Sequence, residues 1–330
     1  MPQEDTAHGK ASSFFGEVSM RAVDVSYTLG DKVIDGLSLH IPAGQKLGIV
    51  GRTGAGKSTL VRAITRLTRL SGGVLCIDGQ DISTLGLHSL RSQIAVLSQQ
   101  PHLFGGTVRF NLDPAGGRPD AELWAALQKA RCSDLVAQRL GGLDGVISSG
   151  GCNLSAGQGQ LICLARVLLA DCPLILLDEA TASLDAELSQ LVEAVLTAEA
   201  RDATVVHVAH RLAAVGSADR IVVMEAGRIA EDGQRAELLG RQTSLFYRLA
   251  RDERHARGRS RGDRRSVVLC NINSYRSATS PKLIMCSCAS VPMFIPRTVA
   301  ASLGSLMCVA SPANDARKVS SIKGPCVGKE

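Results

Sequence analysis

The sequence predicts an α/β fold in which a mainly parallel sheet is covered by helices on both faces. Three observations carry this. Strand-like and helix-like stretches alternate through residues 18–250. A glycine-rich turn, GRTGAGKST, joins one such strand to one such helix. Much further along, an apolar strand ends in two carboxylates, Asp178 and Glu179. The strands read in order as Val33 to Ile41, Lys46 to Val50, Gly73 to Asp78, Ile94 to Ser98, Leu174 to Leu177, Thr204 to Val208 and Ile221 to Met224. Helical stretches follow Lys57, Asp120, Ser155 and Ala186.

Composition sets the frame for this core. The apolar fraction is 45% and the charged fraction 21%, as in soluble globular chains. The net charge of +6 is unevenly spread. From Arg251 to Glu330 there are 14 Lys/Arg against 5 Asp/Glu, so the first 250 residues are slightly acidic. The basic character belongs to the tail, and aromatics are only 3% of the chain, too few for a base-stacking platform. No nucleic-acid partner is expected. The ten cysteines are scattered without a C-x-x-C pair and read as reduced thiols. Residues 1–17 read as a flexible leader with no signal-peptide core. Residues 251–330 read as a basic, disordered tail, opening with seven arginines between Arg251 and Arg265. A basic membrane-surface segment is the alternative reading of that tail. No run reaches the ~18–20 apolar residues of a membrane span. Pro292, Pro296 and Arg297 interrupt the nearest candidate, Leu283 to Ala310.

Residues 46–59, KLGIVGRTGAGKST, place G-x-x-x-x-G-K-[ST] between strand and helix. Phosphates crowd negative charge, so such a loop must offer several backbone N–H groups at close range. Gly51, Gly54 and Gly56 let the backbone curl inward. The helix that follows aims its free N–H groups and positive dipole end at the phosphates. Lys57 would reach the β/γ oxygens, and the Ser58 hydroxyl would ligate Mg²⁺. Thr53, Ala55 and Thr59 complete the loop assigned to ATP.

Residues 173–179, PLILLDE, form a buried strand with its carboxylates at the C-terminal end, where open α/β sheets bind ligands. Asp178 would hold Mg²⁺, and Glu179 would polarise the attacking water. Taken alone, the Asp-Glu pair reads equally as a helix cap.

Between these stands NLSAGQGQLICLARVLLADC, and after them ATASLD and VAHRL. Leu154 to Gln158, LSAGQ, resembles the ABC signature LSGGQ. The four motifs in this order resemble the nucleotide-binding domain of ABC transporters over roughly residues 18–250. LSQQPHLFGGTVRFNLDP and LARVLLADCPLILLDEATASLDAE look like the C subfamily, the multidrug-resistance-associated exporters, and specifically their second nucleotide-binding domain. The resemblance implies a P-loop NTPase (RecA-like) fold. An antiparallel β subdomain near 18–45 and 220–232 should flank it, with a helical subdomain inserted near 105–165.

The resemblance also implies roles. Gln99 would sense Mg²⁺ and the attacking water and face the transmembrane partner. Ser155, Gly157 and Gln158 would contact an ATP held by a second nucleotide-binding domain. Asp185 would link the two sites, and His210 would meet the γ-phosphate as the switch histidine; a lone histidine is otherwise a core residue. Tyr27 is the candidate to stack on adenine, with Leu29 or plain strand packing of Tyr27 as alternatives. Three departures stand out. Gly159 replaces a usual basic residue, Cys152 replaces a usual Glu, and the adenine aromatic is not fixed.

The reading is an ATPase at the cytoplasmic face of a membrane, working with transmembrane domains and a second such domain. The alternatives are a gating domain, a soluble ABC-type ATPase and a truncated transporter fragment. The transported substrate is not written in this stretch of sequence.

Overall fold

A computed structural model describes residues 14–27, 31–182 and 184–253. The leader before Phe14, Leu29, the apolar stretch 283–310 and the basic tail beyond 253 lie outside the described residues.

The chain opens with β1 (Val18–Ser26), β2 (Lys32–Ile41) and β3 (Lys46–Gly51), then α1 (Lys57–Ile64), β4 (Gly72–Ile77) and β5 (Gln80–Asp81). Next come α2 (Leu87–Arg91), β6 (Ile94–Ser98), β7 (Gly106–Thr107), α3 (Val108–Leu112) and α4 (Asp120–Lys129). A π-helical turn at Leu135–Leu140 leads to β8 (Val146–Ile147), α5 (Ala156–Ala170) and β9 (Leu174–Asp178). The last elements are α6 (Ala186–Glu199), β10 (Thr204–Ala209), β11 (Arg220–Glu225), β12 (Arg228–Gln234) and α7 (Arg235–Gly240). The strands and helices expected from sequence form at those places. The short helices and turns at 105–155 make the inserted helical region.

The main sheet has the order β12-β11-β3-β10-β9-β6. The five strands from β11 to β6 run parallel, and β12 returns antiparallel at the opposite edge from β6. The second sheet, β2-β1-β4-β5, is antiparallel throughout. This corrects the expected make-up of the antiparallel part. Residues 220–234 belong to the main sheet, where Val222 sits beside Ile49. The physical reason is burial on both faces. Ile221 to Met224 are all buried, as in a parallel strand, whereas β12 alternates as an edge strand does. The third antiparallel partner is β4, with Val18 opposite Ile77.

Side-chain alternation divides the core between the two faces of the main sheet. Leu174, Leu176, Val206 and Val208 pack with α1 and the antiparallel sheet. Ile175, Leu177 and Val205 pack with α4, α5 and α6. A third cluster joins Val50, Ile221 and Val223 to Leu238 and Phe246. The helical residues 245–253 close over it, and the Glu253 carboxylate accepts the Leu212 N–H at 2.8 Å. At the other end of the domain, the Asp78 carboxylate accepts three backbone N–H groups, from Phe15, Gly16 and Glu17. Among the described residues, no helix is long and apolar enough to cross a membrane.

One interior position is unexpected. His207, in the middle of β10, is only 5% exposed, and its Nε2 has no hydrogen-bond partner. It lines a small cavity with Glu193, Thr197 and Lys46. Burial pushes His207 down to about 4 and Glu193 up to about 7, with Arg235 opposing the shift at Glu193. The two act in opposite directions on stability. Below its ordinary 6.5 the unfolded histidine takes up a proton that the folded one refuses, so stability falls from there down to about pH 4. Glu193 keeps its proton in the fold up to about pH 7, so its contribution is lost as pH rises from 4.5 towards 7. We expect His207→Val to remove an acid loss of up to about 3 kcal/mol. Melting temperatures of wild type and variant between pH 7 and 4.5 check this. Parallel curves would show that the imidazole is protonated in the fold.

Candidate functional site

The loop between β3 and α1 is held at its two ends where no side chain fits. Gly51 has φ 155°, and a Cβ there would lie 2.3 Å from the Met224 carbonyl of β11. Gly56 has φ 95°, and its Cβ would lie 2.8 Å from the Val33 carbonyl of β2. The hydrogen bonds Gly227 N–H to Ala55 O and Asp35 N–H to Gly227 O tie the same three segments together. Gly56 caps α1 without a side-chain bond, so the first-turn N–H groups of the helix remain for a ligand. Lys57 is 5% exposed, and its ammonium donates to the carbonyls of Gly51 at 2.9 Å and Arg52 at 3.1 Å. Burial holds it below the ordinary lysine value, while the Glu179 and Asp178 carboxylates act the other way. The ammonium is therefore curled back over the loop, within the field of both acids.

Parallel register brings the remaining groups to that edge. Ser98 of β6 and Val208 of β10 both lie beside Asp178, and Ala209 lies beside Val50. Gln99, Glu179 and His210 are each the first residue beyond their strands. The Ser58 hydroxyl donates to Asp178 Oδ1 at 2.8 Å. Thr53 Oγ1 and His210 Nε2 share a hydrogen bond at 2.5 Å. Glu179 adopts a left-handed backbone, φ 52°, fixed by its N–H to Val208 O and its carbonyl to the Ala182 N–H. Adjacent hydroxyl and carboxylate oxygens suit a hard cation such as Mg²⁺, which completes its shell with substrate phosphates and water. Among the described residues, no cluster of three or more His, Cys, Asp or Glu could hold a metal by itself. Ser58 and Asp178 thus fit the ion as partial ligands.

The LSAGQ segment is placed at the start of α5. Ser155 caps the helix by accepting the Gln158 N–H, and Gln158 Oε1 accepts the Ser155 N–H in return. Gly157 packs where a Cβ would lie 2.4 Å from Leu188 Cδ2 of α6. Asp185 caps α6 by accepting the Leu188 N–H at 2.8 Å. The starts of α5 and α6 therefore lock together through Gly157, Asp185 and Leu188.

Residues 34–182 match the family model "ABC transporter". The human ATP-binding cassette sub-family C member 3 is 42% identical over 238 residues, which are 72% of this chain and 16% of that protein. The mouse sub-family C member 10 is 43% identical over 235 residues, 71% of this chain and 16% of that one. A bacterial Atm1-family ABC exporter, solved with ATP bound, is 32% identical with a TM-score of 0.69. It covers 76% of this chain and 44% of its own. The chain carries an ATP-binding domain of the ABC transporter family. It spans only a small part of the length of these C-subfamily relatives.

The positions at which this ABC domain departs from the family pattern sit in distinct surroundings. Gly159 keeps its helical bond to Ser155 O, and a Cβ there would come within 3.1–3.3 Å of Pro101 and Leu103. A side chain at 159 would require those two residues to give way by a few tenths of an ångström. Cys152 is exposed, and its thiol donates to Ser149 O. Tyr27 is 52% exposed, so it is not core packing. Its hydroxyl donates to Thr59 Oγ1 at 3.3 Å and accepts from Arg62 at 3.5 Å, which ties the ring to α1.

Sequence reasoning missed three supporting side chains. Arg139 donates to Gln158 Oε1 at 2.9 Å and braces the signature turn. Asn111, fully buried, fixes the loop ahead of α3 through Phe104 and Thr107, and Arg166 supports it. Gln160 is buried between strand ends. The NLDP match gave the only advance signal, at Asn111; nothing local marked the other two.

The loop geometry separates two glycines that look alike in sequence. Gly54, φ 83°, faces open space, while Gly56 faces the Val33 carbonyl. Gly54→Ala should cost about 1 kcal/mol for its left-handed backbone, and Gly56→Ala about 2–4 kcal/mol. Chemical denaturation of both variants checks the order, and equal costs would contradict the close approach to β2.

Proposed function

We propose that this ABC domain binds Mg-ATP in the β3–α1 cradle and hydrolyses it as one half of a nucleotide-sandwiching pair. The pair would power an exporter from the cytoplasmic face of the membrane, with transmembrane domains as the other partners. The observation that carries this reading is the Ser58–Asp178 contact at 2.8 Å, at the same sheet edge as Lys57, Glu179 and His210.

In this reading the triphosphate lies along residues 51–59, facing the N–H groups of the loop and of the first turn of α1. Lys57 moves from the Gly51 and Arg52 carbonyls to the β- and γ-phosphate oxygens, exchanging neutral acceptors for charged ones. Mg²⁺, held by Ser58 and Asp178, would neutralise phosphate charge as it builds up. The Glu179 carboxylate orients a water in line with the γ-phosphorus and draws on its proton. The new P–O bond forms as the bond to the β–γ bridging oxygen breaks, and ADP and phosphate leave. His210, positioned by Thr53, faces the γ-phosphate, and Gln99 stands beside the attacking water. Catalysis is by placement and charge, with no covalent intermediate.

The γ-phosphate remains open on its far side. Ser155, Gly157 and Gln158 would close it from a second domain, offering the capped N-terminus of α5 to the phosphate. Asp185, at the head of α6, would join the two sites. Tyr27, exposed at the rim of the cradle, would stack on adenine.

Two measurements test this. Lys57→Ala should weaken ATP binding by about 1.5–3 kcal/mol, roughly 10–150-fold. Titration calorimetry reads it, and an unchanged affinity removes Lys57 from the site. Glu179→Gln with Mg-ATP should accumulate as a dimer by light scattering, while the same protein without nucleotide stays monomeric. Adding Ser155→Arg should abolish the dimer and keep ATP bound to the monomer. That change also removes a helix cap worth about 1 kcal/mol, so the variant's melting is followed alongside. A dimer that forms without nucleotide would contradict the sandwich.

A further inference from the structure

The signature helix is wired to both flanks of the hydrolytic edge by one buried side chain. Gln160 lies on α5, two residues beyond Gln158, and is 1% exposed. Its Nε2 donates to Ser98 O at 2.8 Å and to Ala180 O at 2.9 Å. Ser98 is the residue before Gln99, and Ala180 is the residue after Glu179. The amide orientation is fixed by chemistry, because a carbonyl oxygen turned towards two carbonyls would repel both. That leaves Oε1 buried without a partner. A side chain present only to fill space would be apolar at this position and would leave no acceptor stranded.

The two carbonyls it grips lie where the backbone most needs support. Glu179 has a left-handed backbone that a residue with a Cβ adopts at a cost, and such a conformation persists only where its surroundings hold it. The turn after it is pinned from below by Ala182 N–H to Glu179 O and from the side by Gln160. On the other flank, the Ser98 hydroxyl donates to Gln100 O, so holding Ser98 also fixes the start of the segment that carries Gln99. From the same helix end, Gln158 is engaged with Ser155 and Arg139. The start of α5 is thus tied through one amide to the backbone of Ser98, beside Gln99, and of Ala180, beside Glu179.

We infer that Gln160 is a positioning residue for ATP hydrolysis, coupling the placement of Gln99 and Glu179 to the signature end of α5. This rests on the reading of the domain as an ATPase. Gln160 is not expected to touch nucleotide, so its effect belongs to turnover and not to binding.

The experiment measures kcat, KM and ATP affinity for wild type, Gln160→Met and Gln160→Asn, with melting curves as a check on folding. Met keeps the length and removes both donors. Asn keeps the amide and shortens its reach, so that it can serve one carbonyl at most. We expect kcat to fall by about tenfold or more in Gln160→Met, because misplaced catalytic groups are costly. ATP affinity should stay within about twofold, the pattern of a group that acts only in the transition state. Gln160→Asn should fall between Met and wild type. An unchanged kcat in a folded variant overturns the inference, as does a loss of ATP affinity equal to the loss of kcat/KM. Failure of both variants to fold also overturns it, since the residue would then be a structural tie alone. A wild-type chain with no ATPase activity fails the functional reading itself, and this inference with it.

Discussion

The parallel register of β11, β3, β10, β9 and β6 is the constraint on which the rest depends. Parallel strands leave the sheet at the same edge, so the residues just beyond β3, β6, β9 and β10 become neighbours although the sequence keeps them far apart. The register itself is set by apolar packing on both faces. Leu176 and Val206 face one cluster while Ile175 and Leu177 face another, so a slip of one residue would turn every side chain of a strand to the wrong face. The hydrophobic effect thus does the positioning: it brings Asp178 within hydrogen-bond reach of Ser58.

The antiparallel sheet and the β11–β12 hairpin serve the same site in a less visible way. The glycine loop is pinned at Gly51 against the Met224 carbonyl of β11 and at Gly56 against the Val33 carbonyl of β2, with no room for a side chain at either. A loop clamped from both sides is preorganised, which lowers the ordering cost of binding. Lys57, buried beside this clamp, donates to two loop carbonyls.

Several residues carry fold and site together. Ser155 caps α5, Asp185 caps α6, and Gly157 lets the two helices touch. The capping bonds use side-chain oxygens and local N–H groups at the starts of α5 and α6. Any substitution there mixes a stability effect with a functional one, and only measurements that separate melting from turnover resolve them.

What the sequence determined by itself was whatever is encoded in contiguous residues. GRTGAGKST states its own loop, because glycines, lysine and hydroxyls at fixed offsets are both the cause of the backbone and the lining of the cradle. PLILLDE states a buried strand with acids at its end, and the S-x-x-Q of LSAGQ states a capped helix start. The tertiary structure alone decided what depends on distant partners. It placed 220–234 in the main sheet, because burial on both faces is a property of the neighbours and not of the strand. It set Gly159 close to Pro101 and Leu103. It found Arg139 at Gln158, and Gln160 between Ser98 and Ala180. A glutamine in a helix carries no local mark of burial, and its function here arises only because two strand ends, separated in the chain, converge on the same amide.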